Sequence, residues 1–336
     1  MAFVFEVVYH NMLNFGNIGF SIDNLYFEPL SQIYEPDNPL SLGTGRLIIN
    51  VPESIATLQE AKSYFESIKP KIDRLSLLLS FCAHGDVHFS KCDIFEIIDD
   101  KKTLRHTSFL GQRKGVAPGH WIIQRRRKCL EDFISSVFPL LTDEDYLQRK
   151  GILDALSYLK EANCFLNPWE VCFEIRYLAF WTAFEIMVHK YFHSNPRNFV
   201  LNVEDDIRKH KIEAFFRDFK DLVKKHSLDD FVDSLLDQLR RIFKNESVRK
   251  RIRYFLEQNG FEQYKGVVVD DKLSMYRLRS QISHGGVSEY EPIKGELYAK
   301  LMRLVDKVVL KTLNYYENKR DCIHPVYLRD DLSATE

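Results

Sequence analysis

Arg279 and His284 stand five positions apart in the string Tyr276-Arg277-Leu278-Arg279-Ser280-Gln281-Ile282-Ser283-His284-Gly285, which Gly286 follows. A guanidinium grips a phosphate through a planar fork of donors. An imidazole gives and takes a proton near neutral pH. Together they are the minimum set for cleaving a ribonucleotide backbone without a metal. On a helix, five positions turn about 140°, so the two side chains do not share a face. Either the glycine pair unwinds the last turn and redirects His284, or each residue meets its counterpart in a second subunit. The bland alternative is an arginine in a surface ion pair and a histidine capping the carbonyls at its helix end.

A second cluster lies just upstream. Arg240, Arg241, Lys244, Arg249, Lys250, Arg251 and Arg253 are opposed only by Glu246, in a chain whose formal net charge is −1. Such local excess suits backbone phosphates, and Tyr254 and Phe255, which follow directly, suit base stacking. A solvated helix face with its aromatics in the core fits the same string. Arg125-Arg126-Arg127-Lys128 is a smaller basic run at a helix start, read as a surface hinge or as a contact to RNA or a partner. His189 with His193, and His84 with His88 and Cys92, have metal-like spacing. The first pair lacks the glutamate of a His-Glu-x-x-His motif, and the second set spans a turn and a strand, so no metal site is expected. Gly43-Thr44-Gly45 is a hairpin turn rather than a phosphate loop, and no cofactor motif is present.

The elements that must position these residues fall into two kinds. Residues 1–125 alternate strand-like runs (Phe3 to Tyr9, Ile18 to Phe27, Leu47 to Val51, Val87 to Ile98, Gly119 to Gln124) with one long helical stretch, Ser54 to Phe81, where Pro70 is expected to break or kink the helix. After Arg125, helices are expected over 128–141, 143–161, 169–192, 203–225, 228–243, 247–258, 270–284 and 293–318, with Asn259-Gly260 and Gly285-Gly286 as stops. The fold class read from this is α+β: an N-terminal α+β, β-rich domain over 1–125, an all-α domain over 126–320, and a C-terminal tail over 321–336.

The chain has 336 residues, 45% hydrophobic and 28% charged, a globular rather than a disordered composition. Its six cysteines lack paired spacing and are expected to be reduced and buried, as in a cytoplasmic protein. The longest apolar run, Tyr177 to Val188, is too short to span a bilayer and carries Glu185, so no membrane association is expected.

Arg279 and His284, with four residues between them late in a run of helices, resemble the signature of the HEPN superfamily (higher eukaryotes and prokaryotes nucleotide-binding). Leu278-Arg279 followed by Ile282-Ser283-His284-Gly285 resembles its Apea-like branch. Arg176-Tyr177-Leu178-Ala179-Phe180-Trp181-Thr182-Ala183-Phe184-Glu185 is similar to the early HEPN helix, with an aromatic core face and one glutamate. The resemblance covers residues 168–318; residues 1–125 are similar to the β-rich halves that precede such domains. It implies an all-α HEPN-like bundle and a metal-independent endoribonuclease without a cofactor. His284 would act as general base or acid at the ribose 2′-hydroxyl, and Arg279 would steady the phosphate charge. Glu185 would lie near the cleft and orient Arg279; a buried ion pair elsewhere, or simple exposure, is its bland reading. The products would be 2′,3′-cyclic phosphate and 5′-hydroxyl ends, and DNA would not be cut. The resemblance further implies a homodimer or higher homo-oligomer with a composite cleft. It implies a toxin or abortive-infection role against phage, with a regulatory partner or phage trigger sensed by the first domain. Its other implication is a module that binds RNA or protein without cutting.

Overall fold

The computed structural model describes residues 2–10, 20–22, 25–31, 44–110, 122–124, 126–143, 145, 151–163, 173–194, 217, 248–284 and 290–329. They form a mixed α+β fold. Six strands, β1 (Ala2–His10), β2 (Phe20–Ile22), β3 (Leu25–Ser31), β4 (Thr44–Asn50), β5 (His88–Ile98) and β6 (Lys101–Phe109), make one antiparallel sheet in the order β2-β3-β4-β1-β5-β6. The helices are α1 (Leu58–Ala83), α2 (Arg127–Val137), α3 (Ile152–Asn163), α4 (Phe173–Ser194), α5 (Val248–Gln258), α6 (Met275–Ser283) and α7 (Lys294–Thr312).

Period-two patterning builds the sheet. Phe3, Phe5, Val7 and Tyr9 alternate inward along β1 and are buried, with Phe5 opposite Ile49 on one side and Ile94 on the other. Helix α1 lays Ala61, Phe65, Ile68, Ile72, Leu75 and Leu79 on that face, and the Phe65 ring meets Phe5 edge-on at 5.6 Å. Its start is a capping box between Thr57 and Glu60. Pro70 does not end it. Apolar residues on both sides of the proline stay buried, and that packing outweighs the one backbone bond a proline removes. The opposite face of the sheet carries an ion ladder, in which Arg46 bridges Glu6 at 3.2 Å and Glu28 at 2.6 Å.

Strand β6 departs from the sequence reading, which passed over residues 101–109. Asp99 and Asp100, both with positive φ (47° and 60°), turn the chain back onto β5. Most β6 side chains are exposed, as an edge strand allows, so no apolar alternation marked it.

Gly45 sits under the Tyr9 ring: a Cβ there would lie 1.9 Å from the Tyr9 hydroxyl. Tyr9 is buried and stacks on Phe27 at 4.0 Å, so it has no room to move aside. Gly45→Ala is expected to cost about 1–3 kcal/mol, the range for overpacking a filled core, read as a lower urea midpoint at constant slope.

Two of the cysteines also depart from expectation. Cys129 at the start of α2 and Cys322 form a disulfide, with Cα atoms 5.0 Å apart. Cys82 and Cys92 are free and buried, and burial raises both thiols, Cys92 to about 12. Cys164 and Cys172 lie outside the described residues. Beside the disulfide, Gln124 N–H donates to the Cys322 carbonyl at 2.8 Å, and His324 N–H to that of Ile122 at 2.9 Å. Residues 320–329, expected mostly as tail, are therefore stitched down, with Cys322, Ile323 and Tyr327 buried. Residues 330–336 lie outside the described residues.

Two buried polar groups hold α1 to its surroundings. Lys160 of α3 donates to Ser76 Oγ at 2.7 Å and to the Val87 carbonyl at 2.9 Å, with the Asp86 carboxylate at 3.6 Å. His84, which follows α1, has left-handed backbone (φ 47°) and bonds Asp306 of α7 through Nε2 at 2.8 Å. At the sheet, His10 Nε2 meets Ser90 Oγ at 2.8 Å, and its ring lies 5.4 Å from that of His88. Burial, then the neighbouring His88, holds His10 below its ordinary 6.5. The unfolded chain therefore takes up that proton first. Stability from this site is present above about pH 6.5 and lost as pH falls through the lowered value. His10→Asn is expected to flatten the fall in urea midpoint between pH 7.5 and 5.5.

The described residues divide into two compact units, one of Met1–Met187 with Gln281–Glu336 and one of Val188–Ser280. Neither cut falls at the join expected near residue 125. No described helix is long and apolar enough to cross a membrane.

Candidate functional site

Helix α6 carries Arg279 and ends at Ser283; Met275 and Leu278 are its buried face. Its last turn tightens: the His284 N–H donates to the Gln281 carbonyl at 3.0 Å, three residues back rather than four. His284 thus stands just past the helix, and its side chain is exposed. Among the described residues its imidazole makes no hydrogen bond, so it is not spent on capping its own helix. Arg279 is half-buried, with Nε enclosed. Gly285 and Gly286 lie outside the described residues. The division between the two units falls between Ser280 and Gln281, placing Arg279 in one unit and His284 with Glu185 in the other.

Glu185 is half-buried in the middle of α4, one residue beyond Phe184. Trp181 and Phe184 are fully enclosed and meet at 5.6 Å, which fixes the aromatic core face of the helix. That face is the one the sequence marked out.

The basic cluster behaves differently from its sequence appearance. Arg240, Arg241 and Lys244 lie outside the described residues. The other four sit on α5, whose end is a Schellman turn: Gly260 has φ 72°, and Phe261 N–H reaches the Leu256 carbonyl at 2.7 Å. Arg249 donates to the Val269 carbonyl at 2.7 Å and lies 5.3 Å over the Tyr276 ring. Arg253 grips Asp270 at 2.6 Å. Both are thereby committed to holding the segment before α6. Lys250 is exposed and Arg251 half-buried. Of the two aromatics expected to stack on bases, Phe255 points inward and Tyr254 is half-buried. Phe255 is buried against Tyr191 at 5.3 Å, and Tyr254 lies 5.7 Å from Phe192. The helical period explains this, since Ile252, Phe255 and Leu256 share the apolar stripe.

In the smaller basic run, Arg126 begins α2 without a side-chain cap, and Arg127 pairs with Glu131 one turn on at 3.0 Å. Of the metal-like sets, His84 turns to Asp306, whereas His88 Nδ1 lies near the Asp86 carbonyl at 3.4 Å. The His193 side chain lies outside the described residues. Among the described residues no group of three metal-ligating side chains converges.

Sequence reasoning missed a mixed aromatic and cationic group where α4 and α7 begin, formed by Phe173, Arg176, Lys294 and Tyr298. Its one sequence signal was Phe173 and Arg176 at i, i+3 spacing.

No family model, no curated protein and no solved structure matches this chain.

Proposed function

We propose that the protein is a metal-independent endoribonuclease of the HEPN type, with Arg279 and His284 as its catalytic residues. The observation that carries this reading is the position of His284: exposed, one residue past its helix end, with no hydrogen bond to its imidazole among the described residues. A histidine serving only as a helix cap would be turned back onto the carbonyls. In the proposed reaction His284 takes the proton of a ribose 2′-hydroxyl as that oxygen attacks the adjacent phosphorus. The bond to the 5′-oxygen breaks, and that oxygen leaves as a hydroxyl after gaining a proton. Arg279 balances the charge that grows on the phosphate oxygens. Glu185 is proposed as the group that orients Arg279. The reading includes a two-fold homodimer that assembles the cleft, as the HEPN resemblance implies. Lys250, which is exposed, and Arg251 are proposed to follow an RNA backbone together with the rest of the basic cluster. A toxin or abortive-infection role, a trigger sensed by the sheet-bearing part, and residence in the cytoplasm complete the proposal.

The test is incubation of purified protein with mixed cellular RNA in EDTA, followed by analysis of the ends. New 2′,3′-cyclic phosphate ends support the nuclease. RNA that is bound but left intact, in cells expressing the protein as well as in the tube, favours the second reading, a non-catalytic RNA-binding module.

A further inference from the structure

The group at the starts of α4 and α7 is a chain of contacts with unmet donors. Lys294 Nζ lies 5.4 Å from the Phe173 ring centre, Phe173 meets Tyr298 at 5.6 Å and 68°, and the Arg176 guanidinium lies 5.6 Å over Tyr298. All four side chains are half-buried, so each keeps a surface toward solvent. Arg176 has no carboxylate or carbonyl partner among the described residues, and its enclosed Nε donates to nothing. The Tyr298 hydroxyl is likewise enclosed without an acceptor. Burial, ahead of any neighbouring charge, pushes that phenol up to about 12, so it stays a donor at neutral pH. Unmet donors are costly, and two in one contact chain favour a ligand rich in acceptor oxygens. Lys294 pairs with Glu291 at 2.9 Å, an ion pair at the surface of the kind a competing anion can exchange. Beside it, Gly295 faces open space, with nothing within 4 Å of a built Cβ.

We infer that this face binds single-stranded RNA, with one phosphate on the Arg176 guanidinium, a second near Lys294, and a base against the Phe173 ring. A guanidinium supplies a forked phosphate contact, and a half-buried ring beside a cation supplies a stacking platform. A free anion would use only the cations; the ring gives the face a reason to hold a strand. The inference rests on the proposed RNA-directed function, and assigns to α4 and α7 a strand-anchoring role distinct from the chemistry at His284.

The experiment is fluorescence anisotropy of the full chain with a labelled single-stranded RNA whose 2′-hydroxyls are methylated, in EDTA, over a range of salt. Arg176→Gln should raise Kd by about tenfold and lower the slope of log affinity against log salt by about 0.7, the loss of one phosphate contact on a single strand. Phe173→Ala should raise Kd by about five- to 150-fold, the range for one lost stack, and leave the slope unchanged. Arg176→Lys should restore the slope. Lys294→Gln gives the same slope reading at the second proposed phosphate contact. Inorganic phosphate at millimolar concentration should compete only weakly. Full displacement of RNA by that phosphate would mean a free-anion site and overturn the inference. Wild-type affinity and slope in Arg176→Gln, Phe173→Ala and Lys294→Gln would overturn the inference but leave the nuclease standing. A wild-type chain that does not bind RNA at all would overturn both.

Discussion

His284→Ala is expected to lower the initial rate of RNA cleavage by about 10²- to 10⁴-fold, the usual worth of a positioned acid or base. The expectation follows from where the ring sits. It is exposed, so its removal should leave the fold intact, with an unchanged far-ultraviolet spectrum and urea midpoint. Arg279→Ala should cost about 10²- to 10³-fold through lost stabilisation of the phosphate charge. Arg279→Lys should recover little of that, because an ammonium keeps the charge and loses the fork. The measurement is the appearance of cyclic-phosphate ends in EDTA, wild type and variants in parallel. Equal rates in all of them would sink the assignment of these residues and trace any cleavage to a contaminant.

Asp306→Ala is expected to lose about 1–3 kcal/mol of folding stability, the range for leaving a buried hydrogen-bonding group without its partner. Asp306 is 1% exposed and accepts from two partners, His84 at 2.8 Å and the Tyr327 hydroxyl. Removing it strands both. His84 also sits at φ 47°, a left-handed backbone that a non-glycine residue keeps only where its surroundings insist, and the Asp306 bond is one source of that insistence. Asp306→Asn keeps the shape and the hydrogen-bonding oxygen and should lose less than Asp306→Ala. Urea titrations of the three proteins give the comparison, and an alanine variant within about 1 kcal/mol of wild type would mean that the pair contributes nothing net.

Local periodicity made much of this molecule readable. The alternation of Phe3, Phe5, Val7 and Tyr9 gave β1, the spacing from Ala61 to Leu79 gave α1, and Gly260 gave the end of α5. The α+β class followed from those patterns. What escaped depended on partners distant in the chain. Strand β6 is read from β5 beside it, not from its own exposed residues. Cys129 and Cys322 are 193 positions apart and carry no spacing signal. At the candidate site the sequence marked Arg279, His284 and the aromatic face before Glu185. It could not tell that Arg249 and Arg253 would find Val269 and Asp270, because a charge run looks the same whether solvated or engaged. Phe255 was legible in principle, since the period that buries Ile252 also buries it.

The backbone stitching of residues 122–124 to 322–324 bears on how the protein is made. A ribosome delivers the chain from its N-terminus, and segments generally fold as they become complete. The sheet and α1 emerge early, yet the unit they belong to also needs Gln281–Glu336. Residues 188–280 have all their own parts first. The later-started unit can therefore finish before the earlier one, whose half-built core waits with Ile123 unpaired until Ile323 arrives. For that interval the nascent chain is a natural client for chaperones, and a stop codon anywhere before residue 320 would leave it one permanently.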